Sequence, residues 1–148
     1  MSAISVVSDA NVVLKWFHSK GEDEVESARA LLDAHKERLV ALSVLDLTVY
    51  EVGSALMRGR AGASAEQAAT VIEALVEICP SIRPNREEMK VASLLAERHD
   101  LTLYDAAYAA VAQGRSAQLV TLDRALLDAK LGSRPAELVE IITASREE

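Results

Sequence analysis

Asp9, Asp105 and Asp123 each stand where a strand pattern passes into a helix pattern or where a helix pattern opens, and Glu51 stands inside one. An Asp at a helix start can cap it, accepting hydrogen bonds from first-turn amides, which is worth about 1 kcal/mol. In an open parallel sheet, however, the crevice beyond the carboxyl ends of the strands is where ligands bind, so acids distant in sequence can converge there. Capping accounts for each Asp taken singly. It does not account for Glu51, whose neighbours one turn away are Leu47 and Ala55, with no Lys or Arg three or four residues off to pair with it; a solvated rim position is its other reading. Four carboxylates in one crevice repel one another unless a cation neutralises them. A hard, oxygen-seeking ion, Mg²⁺ or Mn²⁺, suits such a set. Zinc and iron do not, because one cysteine and three scattered histidines (His18, His35, His99) supply none of the usual close-spaced patterns. Hard divalent ions favour attack by water on a phosphodiester and brace the departing oxygen, so no side-chain nucleophile is required. The GxxxxGK, GxGxxG and GxSxG motifs of other chemistries are absent.

The elements that must position these acids alternate, short aliphatic runs with longer stretches of helical period, as in an α/β domain with a parallel sheet. Ile4–Ser8 reads as the first strand, with helices over Asp9–Phe17 and Glu22–His35. Leu39–Leu42 reads as a second strand, followed by a helix on which Leu45, Val49, Val52 and Leu56 repeat at core-facing spacing until Gly59 and Gly62. Ser64 with Gln67 and Asn85 with Glu88 have the capping-box spacing and open two further helices, with Ile82 between them as an edge strand or extended link. An alanine-rich helix spans Tyr104–Gln113 and closes at Gly114. Leu119–Thr121 reads as a strand, Asp123–Lys130 as a short helix stopped by Gly132, and Val139–Ile142 as the last strand. The expectation is one domain over residues 1–148, with an open parallel β-sheet of about five strands flanked by helices on both faces.

Composition narrows the function. Half of the 148 residues are hydrophobic and 26% are charged, interspersed rather than in blocks, which is the make-up of a folded domain and not a disordered tail. No apolar run approaches the roughly 20 residues that span a bilayer, and Ile4–Val7 is too short for a signal-peptide core, so a cytoplasmic protein is expected. Cys79, alone and in an apolar stretch, reads as a buried thiol. The net charge of −7 argues against a broad basic surface for gripping nucleic acid.

Four segments together resemble a known family. Val6-Val7-Ser8-Asp9-Ala10-Asn11-Val12-Val13-Leu14-Lys15-Trp16, the helix Thr48–Leu56 around Glu51, Leu101-Thr102-Leu103-Tyr104-Asp105-Ala106-Ala107-Tyr108 and Leu119-Val120-Thr121-Leu122-Asp123 are similar to the four motifs of PIN domains, in order, and within that family the chain most resembles the VapC ribonuclease toxins of toxin–antitoxin pairs. The resemblance implies that Asp9, Glu51, Asp105 and Asp123 hold Mg²⁺ or Mn²⁺ and cleave RNA as an endoribonuclease, with Asn11 and Thr121 ordering the site or its waters. For Asn11 a helix-start hydrogen bond, and for Thr121 a strand-end hydroxyl, are equally open. It further implies a cognate antitoxin whose tail, often bearing arginine, occupies the acidic crevice, and a homodimer. Such a basic partner segment suits an acidic chain. Lys15, Arg58, Arg60 and Arg124 are the cations nearest the acids in sequence and the candidates for contacting RNA, against a reading as solvated surface charge.

Two rivals use similar residues. A phosphoacceptor signalling module needs paired acids after the first strand and an Asp near mid-chain, where this sequence has one Asp and a helical Glu; an Asp-x-Asp phosphatase is weakened because the third residue is Asn11. A catalytically silent binding module stays open at this level.

Overall fold

The computed structural model describes residues 3–17, 24–59 and 62–147; His18, the acids 22–23 expected to open a helix, and Arg60 lie outside them. In chain order the elements are β1 (Ile4–Ser8), α1 (Ala10–Trp16), α2 (Val25–Lys36), β2 (Val40–Leu45), α3 (Asp46–Arg58), α4 (Ala65–Ile78), β3 (Ser81–Ile82), α5 (Arg86–His99), α6 (Leu103–Gly114), β4 (Gln118–Val120), α7 (Arg124–Asp128) and α8 (Pro135–Glu147). The strands run parallel in the order β3-β2-β1-β4, with Ile4 opposite Val40 and Val7 opposite Leu119. One parallel bridge between Val120 and Ser133 adds a single-residue rung beyond β4, so the sheet of about five strands is four strands and a rung among the described residues.

Alternation along β1 divides the core in two. Val6 packs on the layer containing α1–α4 and α8, whereas its neighbour Val7 packs on the layer of α5, α6 and α7. Helices therefore cover both faces, the arrangement parallel strands need to bury two apolar sides. The alanines of α6 are buried in the second layer, where short side chains allow close approach to α5 and the sheet. Both capping boxes form as their spacing requires: Ser64 with Gln67, and Asn85 with Glu88. Cys79 is buried, which pushes its thiol up to about 12. His35 is a structural residue: its Nδ1 accepts the Leu42 N–H at 3.0 Å and its Nε2 donates to the Ile78 carbonyl at 2.8 Å.

Two stretches depart from their sequence readings: Leu45, read as opening the stripe of Val49, Val52 and Leu56, ends β2 and packs in the other layer, and the expected last strand is helical. Val139–Ile142 lies within α8 and is not a strand. Its β-branched run suggests a strand, but the buried residues of α8, Pro135, Leu138 and Ile142, are three and four apart, the period of a helix face. Pro135 supplies a preset first-turn φ, and a Glu24 oxygen accepts the Ala136 N–H at 3.0 Å, so the helix start is fixed by a residue of a distant segment. The short helix before it also ends differently: the left-handed residue is Lys130, at φ 60°, not Gly132. Gly132 serves close packing, since a Cβ there would lie 2.8 Å from Thr121 Cγ2 and 3.2 Å from the Leu119 carbonyl oxygen.

Candidate functional site

The strand order turns back between β1 and β4, because β2 and β3 extend from one side of β1 and β4 lies on the other. At such a switch point the chain leaves two adjacent strands in opposite directions, opening a crevice at their carboxyl ends. Asp9 follows β1 and Thr121 and Asp123 follow β4; the Asp9 N–H donates to the Val120 carbonyl at 3.0 Å and ties the two exits together. Across the crevice stand Glu51 on α3, which β2 feeds directly, and Asp105 in the first turn of α6.

Asp9 is 4% exposed, and both of its oxygens are engaged: Oδ1 accepts the Ala10 N–H at 2.7 Å and Oδ2 accepts the Thr121 hydroxyl at 2.7 Å. It caps α1 and also feels the charges of Glu51 and Asp105, so capping does not separate it from the other acids. Asp123 caps α7 through Leu126 N–H at 3.2 Å, and its own amide donates to Thr121 Oγ1 at 3.0 Å. Asp105 is not a cap. Thr102 caps α6 by accepting the Asp105 N–H at 3.1 Å, and its side chain also hydrogen-bonds the Asp105 carboxylate, which opposes the rise in that acid's affinity for protons. Glu51 accepts the Tyr108 hydroxyl on Oε1 at 2.7 Å. Asn11 Oδ1 accepts the Leu122 N–H at 3.1 Å, a strut between α1 and the segment leaving β4.

The acids feel one another. Burial chiefly raises Asp9, to about 7, with the charges of Glu51 and Asp105 adding to the rise and the Thr121 hydrogen bond opposing it. Burial also raises Glu51, followed by the charge of Asp105, against the Tyr108 bond; Asp105 is raised by burial and then by the charge of Asp123. The chain of influence thus runs through all four. Three helix N-termini, of α1, α6 and α7, point their positive ends toward this region and offset part of the repulsion. Among the described residues, Arg124 and Arg58 are exposed and form no ion pair with the four acids, while Lys15 sits half-buried in the last turn of α1. No three acid, imidazole or thiol groups among the described residues are gathered tightly enough to enclose a metal ion by themselves. The donor set is all oxygen and its acids raise one another's affinity for protons, which fits a hard cation completed by water or phosphate oxygens rather than a closed protein cage.

Three residues of this region escape a reading by sequence: Thr48, Tyr108 and Thr102. Thr48 Oγ1 lies 2.6 Å from the Tyr108 hydroxyl, and both residues are fully buried. The available signal is weak: Thr48 precedes Glu51 by three residues and Tyr108 follows Asp105 by three, which places each one helical turn from an acid.

A model of the PIN domain family matches residues 6–131. Ribonuclease VapC3 of Pyrobaculum aerophilum is 33% identical over 129 residues, spanning 84% of this chain and 94% of that protein. The crystal structure of PAE2754 from Pyrobaculum aerophilum superposes with a TM-score of 0.70 at 26% identity, over 95% of this chain and 90% of that one. A toxin–antitoxin complex from Klebsiella pneumoniae shares the fold, with a TM-score of 0.67 at 18% identity over 88% of this chain and 97% of the matched chain.

Proposed function

Because the chain belongs to the PIN domain family, we propose that it is a metal-dependent endoribonuclease, the toxin of a VapBC-like type II toxin–antitoxin pair, in which Asp9, Glu51, Asp105 and Asp123 hold Mg²⁺ or Mn²⁺. The observation that carries this reading is electrostatic: the charges of Glu51 and Asp105 raise the affinity of Asp9 for protons, that of Asp105 raises Glu51, and that of Asp123 raises Asp105. A divalent ion supplies the positive charge that hydrolysis of a phosphodiester needs at the attacking water and at the departing oxygen. Mg²⁺ is commonly held by one or two carboxylates plus water and substrate phosphate, which agrees with an open set of acids. The protein's part is placement. Thr121 and the Ala10 amide immobilise Asp9, Tyr108 holds Glu51, and the α6 and α7 starts present Asp105 and Asp123. Asn11 and Thr121 order the site from beneath.

RNA is the substrate, met by local cations, Lys15, Arg58, Arg60 and Arg124, rather than by overall charge. A cognate antitoxin with a basic tail segment occupies the crevice when the toxin is silent; the net charge of −7 and the kinship with toxin–antitoxin complexes support that partner. The working form is a cytoplasmic homodimer in which residues 1–148 act as one unit. No described helix is long and apolar enough to cross a membrane.

Incubation of the isolated protein with a covalently closed circular RNA tests this reading. Linear products are expected with Mg²⁺ or Mn²⁺, none with EDTA, and almost none with Asp9→Asn or Asp105→Asn despite an unchanged circular dichroism spectrum. Cleavage that persists after chelation would remove the metal mechanism, and an intact circle beside a degraded linear RNA would make the enzyme an exonuclease.

A further inference from the structure

Glu51 is the acid that no helix end explains, and the hydrogen bonds that hold it begin on a backbone amide. The Leu45 N–H donates to Thr48 Oγ1 at 3.1 Å, Thr48 Oγ1 lies 2.6 Å from Tyr108 Oη, and Tyr108 Oη donates to Glu51 Oε1 at 2.7 Å. A hydroxyl has one proton to give. That of Tyr108 goes to the carboxylate, so Thr48 is the donor between the two hydroxyls, and the Leu45 amide fills the acceptor side of Thr48. The row is therefore directed, from the end of β2 to the acid on α3, and each bond polarises the next. Thr48 and Tyr108 are both 0% exposed. Hydroxyls are costly to bury without partners, and valine and phenylalanine would fill the same volumes without that requirement.

The opposite wall repeats the device. The Asp123 N–H donates to Thr121 Oγ1 at 3.0 Å, and the Thr121 proton goes to Asp9 Oδ2 at 2.7 Å. On each side an amide sets the direction of a buried threonine hydroxyl, and the row ends on one oxygen of an acid. On the Glu51 side a tyrosine extends the row from α6, the same helix that carries Asp105, so the bond also fixes Glu51 relative to that second acid.

We propose that Tyr108, with Thr48 behind it, is a positioning residue for Glu51: it sets the carboxylate's orientation and occupies Oε1, leaving Oε2, which no described residue bonds, to a divalent cation. This rests on the reading of Glu51 as a metal-holding acid. Residues that orient metal ligands from behind change metal affinity or activity by about 10–100-fold when removed.

The test compares Tyr108→Phe, Thr48→Val and Thr48→Ser in the full chain by circular dichroism, Mn²⁺ titration calorimetry and steady-state RNA cleavage. Tyr108→Phe and Thr48→Val are expected to fold and to lose about 10–100-fold in Mn²⁺ affinity and kcat, with KM for RNA held within about twofold. Thr48→Ser, which keeps the hydroxyl, is expected to match the parent. Folded Tyr108→Phe with parental Mn²⁺ affinity and kcat would overturn the proposal, as would Thr48→Ser being as impaired as Thr48→Val. Should Tyr108→Phe fail to fold, the Val and Ser variants of Thr48 decide. A parent that binds Mn²⁺ yet leaves RNA intact would refute the ribonuclease reading alone, and the Mn²⁺ affinities would still decide the role of Tyr108; a parent that binds no Mn²⁺ would overturn both.

Discussion

Helix α6 has a carboxylate region at each end, and the fold resolves them in opposite ways. At its C-terminal end Glu88, a buried residue in the first turn of α5, receives two hydrogen bonds from Arg115, at 2.8 and 3.0 Å, and Gly114 leaves room for it, since a Cβ there would stand 3.3 Å from its Oε2. The Arg115 bond holds Glu88 below its ordinary value. At the N-terminal end Asp105 meets Asp9, Glu51 and Asp123, and the first three are pushed upward. Burial is common to both ends. What differs is the charge that faces the carboxylate: an arginine at Glu88, other carboxylates at Asp9, Glu51 and Asp105. A buried carboxylate with its own arginine is part of the architecture, whereas a group of carboxylates that raise one another's affinity for protons is the kind of environment in which a functional site is sought, and it is where the proposed cation would sit.

Breaking the unresolved end should have the largest effect. Asp105→Asn should lower RNA cleavage by at least about a hundredfold, the scale of losing one preorganised electrostatic element, with KM far less affected; initial rates across substrate concentration check it. Next is Gly132→Ala, whose new methyl would press on Thr121 and the Leu119 carbonyl. An overpacked site of this kind costs about 1–3 kcal/mol, and because the displaced hydroxyl is the one on Asp9, cleavage should fall together with thermal stability.

The resolved end sharpens the contrast through pH. Glu88→Gln should cost about 1–2 kcal/mol at pH 7, a figure kept low because the Arg115 side chain is 41% exposed. A depressed pKa contributes stability above the unfolded value and loses it as pH falls through the folded one, so the deficit should shrink below about pH 4.5. Cleavage by this variant should be unchanged. Asp9 should behave in mirror image in EDTA: a raised pKa stabilises fully below 3.8 and loses that contribution as pH rises through about 7, so Asp9→Asn should melt above the parent at pH 8 and level with it near pH 4. Chemical denaturation across that pH range measures both. The smallest effect belongs to Arg124→Ala, an exposed cation beside Asp123: RNA binding should weaken uniformly across sequences, and the salt slope should fall by about one.

How much of this can be read from sequence depends on how local its cause is. The capping boxes at Ser64 and Asn85 are legible because both partners lie within one turn. The four acids are legible because strand ends and helix starts mark three of them and the absence of a local partner marks Glu51. Thr48 and Tyr108 are barely so, since the bond between them spans 60 positions and the only local signal is that each stands one helical turn from an acid. Glu88 is half legible, readable as the partner of Asn85 but not of Arg115, which is 27 positions away. Val139–Ile142 misleads for the same reason: its β-branched composition is local, while the Glu24 carboxylate that fixes the helix start is 112 positions from Ala136.

The most direct measurement is a thermal melt of EDTA-treated protein at pH 8 with increasing Mn²⁺. Ligand that binds only the folded state raises the melting temperature with concentration. The parent and Glu88→Gln should both rise by similar increments, while Asp9→Asn should stay nearly flat. A parent unmoved by Mn²⁺, or an Asp9→Asn variant that rises as far as the parent, would contradict the view that these acids await a cation.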